Sequence, residues 1–123
     1  MSATRLLFAQ LIILIVLTNI VFYGLAHDFL WSVSWFSALA HLLGGMWAAM
    51  FAAWGMQFLG IRVRFLYCVL FAIVLGLCWE IFEVIIGATH FPASTFDTVE
   101  DIGMDIVGGV AGVFFVRYLW ARG

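Results

Sequence analysis

Four apolar stretches, each about as long as a membrane-spanning helix, occupy most of the 123-residue chain. An α-helix needs about 20 consecutive apolar residues to cross the hydrocarbon core of a bilayer. Hydrophobic residues make up 67% of this chain and charged residues only 10%, whereas a soluble domain has roughly 25% charged residues. The sequence therefore predicts an all-α integral membrane protein in which four helices form a bundle.

The four predicted spans cover residues 6–26, 33–59, 65–86 and 97–120 within a single domain. The first span ends in Gly24-Leu25-Ala26, which resembles a signal-peptidase site. A cleaved signal peptide is therefore an alternative for this segment. The length of the apolar run favours a retained transmembrane helix instead.

Charged residues are divided between the two ends of the predicted spans. All basic residues are arginines: Arg5, Arg62, Arg64, Arg117 and Arg122. Four spans place all of them on one side, which the positive-inside rule assigns to the cytoplasm. The prediction is a bacterial inner-membrane protein with both termini in the cytoplasm and with the loops at 27–32 and 87–96 outside. The chain has no basic tail or patch, so nucleic acid is not a predicted partner.

Several acidic residues fall inside the apolar stretches, where an ionised carboxylate is costly and is usually functional. Helical geometry places polar residues of three spans at one level, in the outer half of the bilayer. They are His41 in the second span, Glu80 and Glu83 in the third, and Asp101 and Asp105 in the fourth. Asp97 begins the fourth span, where it either joins this group or acts only as a helix N-cap.

These polar residues share helix faces with small residues, because positions three or four apart lie on one side of a helix. Small residues let membrane helices approach closely, so the polar faces are predicted to meet inside the bundle. So many carboxylates cannot all be ionised and unpaired in a low dielectric. A divalent metal ion would compensate them, with ligands drawn from His41, Glu80, Glu83, Asp101, Asp105 and, in the widest set, Asp97. Protonated acids, or acids that only hydrogen-bond between helices, are the alternatives.

The polar positions also form a recognisable pattern. It consists of His41-x-x-Gly44-Gly45, then Trp79-Glu80-Ile81-Phe82-Glu83, then Asp97-x-x-x-Asp101-x-x-x-Asp105 followed by Gly108-Gly109. In these positions, over residues 37–112, the chain resembles the small polytopic bacterial inner-membrane proteins of the YjdF-like family. It is more distantly similar to VanZ-like proteins, which are associated with glycopeptide antibiotic resistance. The resemblance implies a polytopic inner-membrane protein and no defined activity.

Three functions are open on the sequence alone. The first is a divalent-cation site at the outer leaflet that acts on a lipid or a lipid-linked headgroup, as an enzyme or as a binding protein. The second is proton or cation handling by a transporter subunit, with the carboxylates as the relay. Four spans are few for a transporter, so this function would need a homo-oligomer. The third is an accessory subunit of a larger membrane complex.

Overall fold

A computed structural model of the protein describes residues 3–87 and 95–122, without the side chains of Leu30, Trp31, Ser34, Thr95 and Asp97. The described residues form four long α-helices and one short helix. These are α1 (Ala3–Ala26), α2 (Phe29–Ser32), α3 (Ser34–Phe58), α4 (Phe65–Ile85) and α5 (Thr95–Ala121). The described residues contain no β-strand. The predicted all-α four-helix bundle is confirmed.

Within the described part of the chain, α1, α3, α4 and α5 are long and apolar enough to cross a membrane. Each of them overlaps one of the predicted spans. Large apolar side chains lie exposed on their outer faces, among them Phe8, Ile12, Leu66, Ile81 and Phe114. In a bilayer such side chains contact lipid tails instead of water. The chain is therefore a multi-pass membrane protein.

One end of the bundle joins the start of α1, the end of α3, the start of α4 and the end of α5. A buried apolar cluster connects these segments and consists of Leu6, Ala49, Met50, Ala53, Cys68, Val113 and Val116. At the same end, the guanidinium carbon of Arg117 lies 4.1 Å from the centre of the Phe65 ring. All the arginines lie in or beside these segments. This end is termed the arginine end, and the opposite end, which contains Asp28, Glu83 and Glu100, is termed the acidic end.

The connection from α3 to α4 is short because α3 ends in a compact hydrogen-bonded cap. Gly60 has a φ of 70°, a conformation that residues with a side chain rarely adopt. Its N–H donates to the carbonyl of Gln57 at 3.1 Å, and the N–H of Ile61 donates to the carbonyl of Met56 at 2.8 Å. These two bonds form a Schellman motif, which satisfies the last helix carbonyls. The chain then reverses, and α4 packs beside α3.

Helices α3 and α5 make the most extensive helix contact in the described bundle. Glycines allow the two backbones to touch. A β-carbon on Gly45 would overlap the backbone of Asp105, and a β-carbon on Gly108 would overlap the backbone of Leu42. Such approach is typical of membrane helices with small residues at their interface. His41 lies one turn before Gly45, so this contact places His41 against α5.

The segment between α1 and α3 contains a helical turn, α2, that the sequence did not predict. Asp28 precedes this turn in the left-handed region, with a φ of 59°. The backbone N–H and the hydroxyl of Ser32 both donate to the carbonyl of Asp28, at 3.2 and 2.6 Å. These bonds close the turn. Residues 88–94, most of the second predicted outer loop, lie outside the described residues.

Candidate metal centre

The imidazole of His41 is the centre of a polar cluster near the acidic end. It is carried by α3, is only 6% exposed, and has a carboxylate at each ring nitrogen. Nδ1 lies 3.2 and 3.1 Å from the two carboxylate oxygens of Asp105 on α5. Nε2 lies 3.4 Å from Oε1 of Glu80 on α4 and 3.4 Å from Oδ2 of Asp101 on α5. Side chains of three helices therefore converge on one ring.

Asp105 fits beside the His41 ring because the facing position on α4 is a glycine. A β-carbon on Gly76 would overlap the Asp105 carboxylate. The Asp105 carboxylate is buried and can accept a hydrogen bond from Nδ1–H. A carboxylate in this position fixes the tautomer and the orientation of a metal-binding histidine. It leaves the lone pair of Nε2 available to a ligand.

On the Nε2 side, hydroxyl groups hold the carboxylates of Glu80 and Asp101. Oγ1 of Thr98 donates to Oε2 of Glu80 at 3.0 Å. Oγ of Ser37 contacts both carboxylate oxygens of Asp101, at 3.3 and 3.2 Å. The other oxygen of Glu80, Oε1, is buried and accepts no hydrogen bond from the described residues. Buried polar atoms are nearly always paired, and Oε1 can pair with Nε2 of His41, 3.4 Å away, when Nε2 carries a proton or when both atoms bind one cation.

The atoms around Nε2 have separations that suit metal ligands. Nε2 of His41 and one oxygen each of Glu80 and Asp101 all lie within 4.8 Å of one another. Two ligands bonded to one ion at ~2.1 Å are themselves ~3.0 Å apart in octahedral geometry and ~3.4 Å apart in tetrahedral geometry. Both Nε2–oxygen distances are 3.4 Å. These three side chains can therefore surround an ion with little movement.

Negative charge is in excess in this cluster. When ionised, the carboxylates of Glu80, Asp101 and Asp105 carry three negative charges, whereas a protonated His41 carries one positive charge. The chain has no lysine, and its arginines lie at or near the arginine end. A buried charge without a partner is strongly destabilising. The cluster therefore requires bound protons or a bound cation.

Glu83 lies one turn beyond Glu80 on α4 and has a different partner. Its carboxylate is buried, and Oε1 accepts a hydrogen bond from the indole Nε1 of Trp79 at 2.8 Å. Glu83, which was predicted to share an ion with Glu80, therefore has an additional partner in Trp79, while its charge still interacts with those of Glu80, His41 and Asp101. The side chain of Asp97, the additional predicted ligand, lies outside the described residues.

Asp101 and Asp105 were also predicted to share an ion, and they lie at opposite nitrogens of the His41 ring. Sequence reasoning gave no site role to Thr98 or Trp79. Helical spacing could have indicated both. Thr98 precedes Asp101 by three residues and Trp79 precedes Glu83 by four, and such spacings place two side chains on one helix face.

A cavity of about 450 Å³ lies beside the cluster, between α1, α3 and α4. Polar side chains line the end near the imidazole: Ser37, His41, Glu83 and Asp105. Apolar side chains line the part nearer the middle of the helices, among them Leu14, Leu17, Trp47, Ala72 and Leu75. The cavity therefore has a polar end and an apolar end.

No family model, curated protein or solved structure matches this chain. The family resemblance of the polar motifs therefore stays a prediction.

Proposed function

We propose that the protein binds a divalent cation through Nε2 of His41 and the carboxylates of Glu80 and Asp101. The observation that carries this proposal is the pair of carboxylate oxygens at 3.4 Å from Nε2. Asp105 at Nδ1 is the orienting partner that a metal-bound histidine usually has. One imidazole and two carboxylates suit Zn²⁺, Mn²⁺ or Fe²⁺ better than Ca²⁺, which takes oxygen ligands.

We infer that this site lies in the outer half of a bacterial inner membrane and that both termini are cytoplasmic. The support is the grouping of the arginines at one end of the bundle, because arginine and lysine are enriched in cytoplasmic loops. In this orientation the acidic end meets the headgroups of the outer leaflet. A lipid or a lipid-linked headgroup is therefore the proposed ligand of the site. A cation at this position can polarise a phosphoryl or carbonyl oxygen.

Replacement of either proposed carboxylate ligand is expected to weaken cation binding at least tenfold. The reason is that loss even of an orienting partner costs about 10–100-fold in metal affinity. The measurement is calorimetric titration of the purified protein with Mn²⁺ and Zn²⁺, together with elemental analysis, for wild type, Glu80→Gln and Asp101→Asn. Wild type is expected to bind one ion per chain.

Glu100→Gln is the matched control, because Glu100 is an exposed acid on the same helix as Asp101. It is expected to keep the wild-type affinity. A wild-type protein that binds neither ion would refute the proposal. Equal affinities for wild type, Glu80→Gln and Asp101→Asn would refute the ligand assignment.

A proton relay is the second candidate function, and the same ring supports it. His41 has carboxylates at both nitrogens, so a proton taken up at Nε2 can be matched by one released from Nδ1 to Asp105. Flux measurements in proteoliposomes distinguish the two functions. A relay gives proton flux without a divalent ion, and His41→Ala abolishes it. A resident cation gives no such flux.

A further inference from the structure

The cavity beside the cluster is open towards the surrounding lipid. Helix α1 packs mainly on α3, which leaves space between α1 and α4. Three side chains of α4 that line the cavity, Leu75, Trp79 and Phe82, are also 38%, 41% and 47% exposed. In a bilayer these exposed faces contact lipid tails. A hydrocarbon chain can therefore enter the cavity sideways from the membrane.

The cavity has the size and the polarity profile of a single amphiphile. A dry cavity of 150 Å³ accepts benzene, which corresponds to roughly 25 Å³ per carbon atom. On that scale the volume of about 450 Å³ takes about 18 carbon atoms. The part of α3 that lines the cavity extends from Ser37 at the polar end to Trp47 at the apolar end, which is ~15 Å along the helix.

The charged side chains at the polar end of the cavity determine which headgroup can bind there. Glu83 and Asp105 supply its carboxylates, which accept hydrogen bonds and donate none when ionised. Among the described residues that line the cavity, none is an arginine. An ionised Glu83 would repel a carboxylate or phosphate group placed beside it, whereas an ammonium group supplies three hydrogen-bond donors and a positive charge. A primary amine is protonated at neutral pH.

We propose that this cavity binds one hydrocarbon chain of a membrane amphiphile whose headgroup is a primary amine. The ammonium group lies at the carboxylate of Glu83, and the chain extends past Leu17 towards Trp47. The inference deepens the proposed lipid-headgroup role of the site. It rests on the proposed outer-leaflet lipid role, and its headgroup contact, Glu83, is not a proposed cation ligand, although His41 also lines the cavity.

Photo-crosslinking with three diazirine-bearing probes of equal chain length tests the proposal: tetradecylamine, tetradecanol and tetradecanoate. Each probe is added to the purified full-length protein in nanodiscs, once with EDTA and once with Mn²⁺. The amine is expected to label the cavity-facing residues of α1 and α4 at least tenfold more than tetradecanoate, under both conditions. Equal labelling by amine and carboxylate would overturn the proposal. Labelling that requires Mn²⁺ would also overturn it, because the ion would then hold the headgroup.

Gly44→Leu is expected to block the cavity and reduce amine labelling at least tenfold. A β-carbon on Gly44 would have as its nearest neighbour Cδ2 of Leu17, at 3.9 Å, so the new side chain extends into open space. Gly55→Leu is the matched control on α3, since a β-carbon there meets nothing within 4 Å. Leu17→Trp blocks the same space from α1 and replaces Gly44→Leu if that variant does not elute as a single folded species. Labelling that survives both blocking variants would place the probe elsewhere.

Glu83→Gln is expected to remove the preference for the amine over the alcohol while leaving alcohol labelling unchanged. The substitution keeps an oxygen that can accept the indole hydrogen bond of Trp79. Glu100→Gln controls for general attraction of the amine to the acidic end, because Glu100 is exposed. A preference that persists in Glu83→Gln, or that is lost equally in Glu100→Gln, would overturn the headgroup assignment.

Discussion

Gly108→Ala is expected to lower the free energy of unfolding by about 3 kcal/mol, the upper end of the range for an overpacked core. The added methyl group would overlap the carbonyl of Leu42 and lie 2.9 Å from the backbone nitrogen of Met46. Both neighbours are backbone atoms of α3, so no side-chain rotation relieves the clash. The helices must separate instead. The measurement is thermal unfolding of the detergent-solubilised protein, followed by circular dichroism.

Gly103→Ala is the matched control on the same helix. A β-carbon on Gly103 meets nothing within 4 Å, so alanine there is expected to stabilise α5 by up to about 1 kcal/mol through its better helix propensity. The separation caused by Gly108→Ala also moves Asp105 away from His41, so cation affinity is expected to fall in parallel. Equal melting temperatures for Gly108→Ala and Gly103→Ala would show that α3 and α5 do not touch at Gly108.

The helices could be predicted from the sequence because a membrane imposes a length on them. Each long helix contains an apolar run that matches the thickness of a bilayer. The position at which α3 ends could also be predicted. The gap between the predicted spans 33–59 and 65–86 indicated the turn after α3, and Gly60 in that gap takes the positive φ of the cap. The helical turn α2 could not be predicted from the sequence, because it depends on hydrogen bonds from Ser32 to the carbonyl of Asp28.

The faces of the polar residues were predictable, but their partners were not. Spacing places Glu80 and Glu83 on one side of α4, yet three residues correspond to about 300° of rotation, which leaves them ~60° apart. That angle is enough for Glu80 to face the imidazole while Glu83 bonds to Trp79. Sequence spacing cannot predict which group each glutamate faces, because the rotation of α4 about its axis depends on its contacts with α3 and α5.

Spacing also could not predict which atoms of His41 the two aspartates of α5 contact. Asp101 and Asp105 are four residues apart, which corresponds to ~6 Å of rise. The His41 ring fits between two groups at this separation, so one carboxylate meets Nε2 and the other meets Nδ1. The axial position of α3 against α5 decides this arrangement. That position follows from the close contacts at Gly45 and Gly108, which only the three-dimensional structure reveals.

His41→Ala is expected to destabilise the cation-free protein by about 3–5 kcal/mol at neutral pH, the usual cost of removing one partner of a buried charge pair. The imidazole is the basic group that contacts Glu80, Asp101 and Asp105. Without it, any of these carboxylates that is ionised loses its positive partner in a medium of low dielectric. Thermal unfolding in EDTA measures the loss.

The control combines His41→Ala with Glu80→Gln, Asp101→Asn and Asp105→Asn. Both proteins have the same space at position 41, so the difference between them reports the carboxylate charges alone. The neutral variant is expected to recover most of the lost stability, because removal of both sides of a buried charge pair is often close to neutral. If the two variants are equally unstable, the loss comes from packing and the acids carry protons in the native state. In that case a cation that binds must displace those protons, so its affinity is expected to depend on pH.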